Sequence, residues 1–259
     1  MRDSIGDERA PGRHLVETGE LVAGSMSRAV AGLLFEPDSS PLRLDDRLAS
    51  CLRDAATSAA ELPLTWERAR AGAVLAFVAE LSVTRAHQGR AVRTDGFFSV
   101  STAARSAAER LVEDVVQAAR QTTEERRVRH LGYLMAEVVF SPDIDVALAS
   151  RALQLTESCG WRQLVFLAAV GRRDRSPLPL APLDDEPRGW TAWGAREDVA
   201  DLQRAGLLDP PAAATRPGAR PHLRPADLRL TRRGVLVHRL LALDFVRDDD
   251  VAGALAGLG

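Results

Sequence analysis

The sequence contains no lysine and no asparagine. All 34 of the residues counted as lysine or arginine are therefore arginine. A standard P-loop, a protein-kinase ATP site and a Schiff-base centre each need a lysine amine, so the chain cannot build any of them in standard form. The missing asparagine leaves glutamine as the only amide for bidentate contacts to adenine. We attribute the all-arginine composition to the codon usage of a GC-rich genome.

Cysteine is scarce too, with only Cys51 and Cys159 in 259 residues. Two cysteines so far apart form neither a disulfide framework nor a zinc site of the CxxC kind. Both lie in apolar helical patterns, which predicts buried free thiols.

Excess charge and long apolar runs are also missing. The net charge is -2, which gives the whole chain no preference for nucleic acid or an anionic membrane. Residues 1–13 are charged and lack the apolar core of a signal peptide. The longest apolar runs, 71–83 and 164–170, are too short to cross a bilayer. We therefore predict a cytoplasmic protein.

Motifs for catalysis and metal binding do not occur. The sequence has no GxGxxG, GxSxG or HExxH, and its five histidines are scattered. His130 lies among arginines on the polar side of a predicted helix, which predicts a solvated side chain. Asp143 and Asp145 could hold a hard cation, but they also precede a helix, and we favour capping there. The sequence predicts no enzyme activity, no cofactor and no metal.

Apolar residues at three- and four-residue spacing predict a mostly α protein, with a helical domain over 15–171 after a disordered tail, 1–14. We expect Ser101 to cap one helix, and Thr122 with Glu125 to form a capping box for another. The predicted helices cover residues 17–34, 45–61, 65–87, 101–119, 122–140 and 146–155.

Two further features concern packing inside this helical domain. Residues 164–170 are apolar on every side, which fits a buried helix or a buried strand, and we favour the helix. The small residues Gly72, Ala73 and Ala76 permit close helix contact, and we expect this domain to self-associate.

The chain changes character after residue 171. Residues 172–194 are rich in proline and charge and predict a linker or a long surface loop. Over 195–259 we predict a short helix at 195–205 and two short strands, 207–208 and 228–230. A last helix then begins after Thr231, which serves as its N-cap.

Two runs of this C-terminal element stand out, and they are Asp201-Leu202-Gln203-Arg204-Ala205-Gly206-Leu207-Leu208 and Leu228-Arg229-Leu230-Thr231-Arg232-Arg233-Gly234. Together they resemble winged-helix regulators of the MarR and PadR type. The first run is similar to the end of a recognition helix, and the second to the return strand of a wing and the helix that follows it. The resemblance implies a winged-helix-like element with a two-stranded wing, a recognition helix at 195–205 and a wing tip near Gly218.

Basic charge is concentrated in the same element. Between residues 216 and 239 there are seven arginines and one acid, Asp227, so the local charge is seven minus one, or +6. Such a segment indicates either a contact surface for phosphates or an acidic partner, or a solvated face of a chain whose basic residues are all arginine, and the sequence favours the two equally. The predicted contact residues are Arg216, Arg220, Arg224, Arg229, Arg232, Arg233 and Arg239.

The predicted recognition helix, however, carries more acids than arginines, so it is better suited to binding a protein than to binding DNA. Our first hypothesis is a regulatory or adaptor protein that binds a protein partner or nucleic acid through these arginines. The alternatives are a DNA-binding transcriptional regulator and an accessory subunit of a bacterial complex such as an anti-phage system.

Overall fold

A computed structural model of the chain divides it into two compact units, residues 1–153 and 154–259. The predicted tail and the predicted helix at 17–34 lie outside the described residues. The structure describes residues 44–63, 66–100, 105–183, 189–209 and 223–258.

The N-terminal unit is built from helices that follow the predicted ones closely. They are α1 (Asp46–Ala60), α2 (Trp66–His87), α3 (Ala107–Gln121) and α4 (Glu125–Val139), followed by α5 (Val146–Glu157), within which the two units divide. The described part of the chain is mostly helical, as the sequence predicts.

Helix α2 is the centre of this unit, because α1, α3 and α4 all pack against it. Its residues 71–83 are buried without interruption, so the apolar run predicted from the sequence is core. The closest approach is at Gly132 of α4, where a Cβ would lie 2.7 Å from the carbonyl oxygen of Val74. Only glycine lets the two backbones come this close.

The packing of this unit overturns one prediction and agrees with another. His130 is buried beside Tyr133 instead of solvated, because α4 is covered along most of its circumference. Gly72, Ala73 and Ala76 are buried where other helices of the unit pack on α2, as their predicted role in close helix contact requires, while self-association stays a prediction.

Arginines at and after the end of α2 join it to the end of α4. Glu137 is almost fully buried and pairs with both Arg85 and Arg90, the latter at 2.8 Å. Arg93 is also buried and donates to the carbonyl oxygens of Val138 (3.2 Å) and Ile144 (2.8 Å). A charge removed from water is tolerated only when it is paired, and these contacts meet that requirement.

The predicted helix starts were partly wrong. Ser106, and not Ser101, caps α3: its hydroxyl accepts from the N–H of Glu109, whose carboxylate accepts from the N–H of Ser106. Thr122 forms no capping box, because its N–H closes the last turn of α3. The capping role predicted for Asp145 is confirmed, since its carboxylate accepts from the N–H of Leu148 at 2.7 Å.

The C-terminal unit begins in the second half of α5. It contains α6 (Trp161–Gly171), α7 (Trp190–Arg204), α8 (Arg232–Leu240) and α9 (Asp248–Leu255), with 3-10 turns at Pro225–Asp227, Leu243–Phe245 and Ala256–Leu258. Helix α6 is the buried centre of the unit and packs against the other three helices. The choice of helix for 164–170 is confirmed, and all seven side chains are buried.

The proline-rich stretch is not a free linker where the structure describes it. The N–H of Leu183 donates to the carbonyl of Leu223 at 2.8 Å, and the N–H of Ala226 donates to that of Pro179 at 3.1 Å. Leu178 and Leu183 are buried. Apolar side chains between the prolines therefore hold this segment against the chain that leads to α8.

The predicted two-stranded wing is not present as strands among the described residues. A single antiparallel bridge joins Leu208 to Leu230. The loop between them, with the predicted wing tip at Gly218, lies outside the described residues. The predicted helix at 195–205 begins earlier, at Trp190.

Candidate functional site

Three of the arginines predicted to bind a partner, Arg229, Arg232 and Arg233, lie at the corner between α7 and α8. Gly206 ends α7 in a left-handed conformation with φ of 68°, which glycine adopts without strain. The two segments then pair through two backbone bonds: Asp209 N–H to Arg229 carbonyl at 2.9 Å, and Thr231 N–H to Leu207 carbonyl at 3.1 Å. This pairing brings the end of α7 next to the start of α8.

Thr231 and Gly234 hold the corner together. The Thr231 hydroxyl donates to the Gly206 carbonyl at 2.6 Å and accepts from the Gly234 N–H at 3.1 Å, so it caps α8 and fixes the end of α7. A Cβ at Gly234 would overlap the carbonyl oxygen of Leu207. The threonine and the glycine of the run Leu230-Thr231-Arg232-Arg233-Gly234 are therefore both needed for the local structure of this corner.

Five of the seven predicted contact arginines are described, and all five are exposed. Arg216 and Arg220 lie outside the described residues. We call the five the arginine surface. It consists of Arg224, Arg229, Arg232, Arg233 and Arg239.

Within this surface, Arg232 and Arg233 occupy the first turn of α8, which contains no acid. The N–H groups of a first turn attract negative charge, so two exposed guanidinium groups there add to a positive potential. Arg229 is held in place by donating to the carbonyl oxygens of Ala226 (2.7 Å) and Leu228 (2.8 Å). The described stretch 223–239 contains five arginines and one acid, a local charge of five minus one, or +4.

Most of the other described arginines of this unit form ion pairs with carboxylates, in contrast to those of the arginine surface. Among the described residues, Arg224, Arg229, Arg232 and Arg233 form no ion pair with a carboxylate. Six others do, and they are Arg162 with Asp198, Arg172 with Asp248, Arg173 with Asp174, Arg175 with Asp244, Arg204 with Asp201 and Arg247 with Asp249.

The acids of α7 are engaged in such pairs. Asp198 accepts from Arg162 of α6, and Asp201 accepts from Arg204 and, at 3.3 Å, from the amide of Gln163. From the sequence alone, these carboxylates are expected to form an acidic face that repels an anion. Their pairing reduces the negative potential that α7 presents to an anion.

Sequence reasoning missed an exposed tryptophan pair at the start of α7. The rings of Trp190 and Trp193 meet edge to face with centroids 5.9 Å apart, and Trp190 is 86% exposed. Tryptophan is enriched at binding hot spots. The signal was two tryptophans three residues apart, which share one face of a helix, but we had assigned both to a linker.

A buried acid in the N-terminal unit was missed as well. One Glu80 oxygen accepts from the Tyr133 hydroxyl at 3.3 Å, and the other has no hydrogen-bond partner among the described residues. Burial raises the pKa of Glu80 to about 7, although Arg129 and the Tyr133 hydrogen bond act in the opposite direction. No sequence pattern distinguishes this glutamate from those on helix surfaces.

The described residues contain neither a membrane-spanning helix nor a metal site. No helix there has the length and apolar character needed to cross a bilayer. No group of three or more His, Cys, Asp or Glu side chains in that part is placed to hold a metal ion.

Comparison of the chain with protein-family models, curated proteins and solved structures found no match. The winged-helix resemblance therefore stays a prediction that rests on the two short runs quoted for it.

Proposed function

We propose that the protein is a non-enzymatic regulatory or adaptor protein whose C-terminal unit binds an anionic partner through the arginine surface. The observation that supports this most is the contrast in pairing. Four exposed arginines of the surface have no carboxylate partner among the described residues, whereas six arginines elsewhere in the same unit do.

An unpaired surface arginine is suited to binding for two reasons. Its guanidinium group presents several donors in a planar fork that matches a carboxylate or a phosphate. It also has no internal ion pair to break when a partner arrives. The hydrogen bonds of Arg229 to two backbone carbonyls add preorganisation, which lowers the entropic cost of binding.

A second candidate function is a DNA-binding transcriptional regulator. The order of α7, bridge and Thr231-capped α8 favours it, because this is the order expected around the wing of the regulators that the sequence resembles. The pairing of Asp198 and Asp201 weakens the objection that α7 is too acidic to approach phosphates.

The test measures binding of the full chain to random-sequence duplex DNA and to polyglutamate, each at two salt concentrations. The test variant is Arg232→Ala/Arg233→Ala. Its matched control is Arg175→Ala/Arg247→Ala, which removes the same charge from two exposed arginines that are paired with acids.

Salt-sensitive binding to either probe, weakened by the test variant and kept by the control, would support the proposal. If the probe is DNA, the loss of two phosphate contacts should reduce the slope of log affinity against log salt by about 2. Preference for DNA would favour the regulator, and preference for polyglutamate would favour a protein-binding adaptor. Equal binding by both variants, or no binding to either probe at low salt, would refute the proposal.

A further inference from the structure

Helix α7 exposes two tryptophans and a glutamate on the side opposite to its buried residues. We call these residues the α7 stripe, and they are Trp190, Trp193 and Glu197, three and four residues apart. The buried residues on the other side are Ala195, Val199 and Leu202. Trp193 is half exposed and Trp190 is almost fully exposed. An exposed apolar patch of this kind marks a surface at which a protein partner binds.

Helix α8 exposes a stripe of a different character. We call it the α8 stripe, and it consists of Arg232, Val235, Leu236 and Arg239, which share one face of the helix. Val235 is 53% exposed, whereas Val237 and Leu240 on the opposite side are buried. Phosphates would contact only the arginines of this stripe. The apolar pair between them fits a partner helix that carries apolar side chains next to an acid.

We propose that the α8 stripe of one molecule binds the α7 stripe of a second copy of this chain, with the two helices antiparallel, and that this contact competes with an anionic partner for Arg232. The spacing of the stripes supports the contact. Glu197 lies seven residues after Trp190, and Arg239 lies seven residues after Arg232, which is about 10.5 Å along each helix. An antiparallel pair therefore places Arg232 opposite Glu197. It also places the apolar pair of the α8 stripe opposite Trp193, and Arg239 opposite Trp190.

The groups that meet in this contact attract each other. Arg232 forms no ion pair with a described carboxylate, and Glu197 approaches Arg204 only to 3.9 Å, in an exposed pair that stabilises the fold little. The face of a tryptophan ring attracts a guanidinium group, which suits Trp190 opposite an arginine. Contact between the apolar side chains of the two stripes also removes apolar area from water.

The helix dipoles favour the antiparallel direction. Glu197 and Asp201 both lie in the second half of α7. An antiparallel pair brings them to the first turn of α8 of the second copy, which is the positive end of that helix and carries Arg232 and Arg233. A parallel pair would bring the same acids to the carbonyl end of α8, where negative charge is unfavourable.

The contact has consequences for the arginine surface. Because each copy carries both stripes, a two-fold dimer forms the contact twice. A contact between such short stripes is small compared with the interface of a stable complex, so we expect a dissociation constant in the micromolar range. Arg232 belongs to the arginine surface, and the dimer therefore covers part of it. This competition rests on the proposed function, whereas the contact between copies does not.

Sedimentation equilibrium of the full chain at micromolar concentrations tests the contact. We expect the parent to form a reversible dimer, and Trp190→Ala/Trp193→Ala to weaken dimerisation by about tenfold or more. The control is Trp66→Ala, which removes an exposed tryptophan of the N-terminal unit and should dimerise as the parent does. A monomeric parent, or a dimer that the double variant does not weaken, would overturn the proposal.

Charge reversal tests which residues meet, and its rescue step cannot come from a misfolded variant. Arg232→Glu and Glu197→Arg should each weaken dimerisation by about tenfold, and the two changes together should recover most of the loss. The matched control is Arg239→Glu/Glu197→Arg, which should stay weak because these positions are not opposite each other. Absence of rescue, or rescue by the control instead, would overturn the antiparallel contact.

Binding of duplex DNA and polyglutamate separates this inference from the proposed function. Trp190→Ala/Trp193→Ala keeps the whole arginine surface. Where nine parent molecules in ten are in dimers, this variant should bind the preferred probe about tenfold more tightly than the parent. Equal affinities there would overturn the competition. A parent that stays monomeric and binds a probe would support the proposed function and overturn the dimer, whereas a dimer that binds neither probe would refute the proposed function and the competition with it.

Discussion

Replacing Glu80 by glutamine should stabilise the protein at alkaline pH, although it removes a charge from the core. Glu80 is 7% exposed, and only one of its oxygens has a partner, the Tyr133 hydroxyl. The cationic side chains near this pair are Arg129, whose charge acts on Glu80 and Tyr133, and Arg85, whose charge acts on Tyr133. His130, the other titratable neighbour, stacks edge to face on the Tyr133 ring.

The magnitude follows from the pKa. Burial raises the pKa of Glu80 from 4.5 to about 7, so the folded state binds this proton more tightly than the unfolded state does. The contribution of Glu80 to the free energy of unfolding is therefore greatest below pH 4.5. It falls as the pH rises towards 7 and is constant above that value. The whole decrease is about 3 kcal/mol, at about 1.4 kcal/mol for each pH unit between the two values. Glutamine has the same shape and stays neutral throughout.

Urea unfolding at pH 5 and pH 8 tests this reasoning. We expect Glu80→Gln to exceed the parent by about 1 kcal/mol or less at pH 5 and by about 3 kcal/mol at pH 8. The control is Glu157→Gln, at an exposed glutamate of α5, which should follow the parent at both pH values. If Glu80→Gln were destabilised equally at both pH values, the carboxylate would be favourably bound as an anion, and the reasoning would be wrong.

Three stability changes in the N-terminal unit can be measured by the same urea unfolding. Gly132→Ala should cost about 1–3 kcal/mol, because its Cβ would lie 2.7 Å from the Val74 carbonyl; a neutral result would mean that α2 and α4 can separate freely. Ser106→Ala should cost about 1 kcal/mol through loss of the α3 cap, and Ser106→Asp should restore most of it. Glu137→Ala should cost about 3–5 kcal/mol, because it leaves two arginines without their buried partner, and a loss below 1 kcal/mol would contradict that role.

Several helices of the N-terminal unit could be predicted from the sequence because their apolar residues recur at helical spacing. Helix α1 begins at Asp46, and α4 ends at Val139, each within one residue of the prediction. Helix starts were less accurate, because several Ser and Thr residues compete for each cap. Ser101 lies outside the described residues, and α3 begins after Ser106, whose spacing to Glu109 is the capping-box pattern that the prediction overlooked.

Burial of polar groups could not be predicted, because it depends on how many helices surround a given helix. The pattern of α4 has one apolar face, which predicts a solvated His130 on the other. In the structure α4 packs against both α2 and α3, and His130 lies inside. The buried Glu80 was missed for the same reason, since sequence neighbours do not reveal helices packed on every side.

The arginine surface shows the same limit in electrostatics. The sequence correctly locates an excess of arginine after residue 216, but it counts the charges of α7 without their partners. In the folded unit, Arg162 reaches from α6 to Asp198, and Arg204 pairs with Asp201 one turn earlier in α7. These pairs cancel charge locally, whereas Arg232 and Arg233, at the start of α8, form no ion pair with any described carboxylate. The corner between α7 and α8 is therefore positive and lies beside a nearly neutral helix. The proposed function then predicts that replacement of those two arginines weakens binding more than replacement of any paired arginine in the unit.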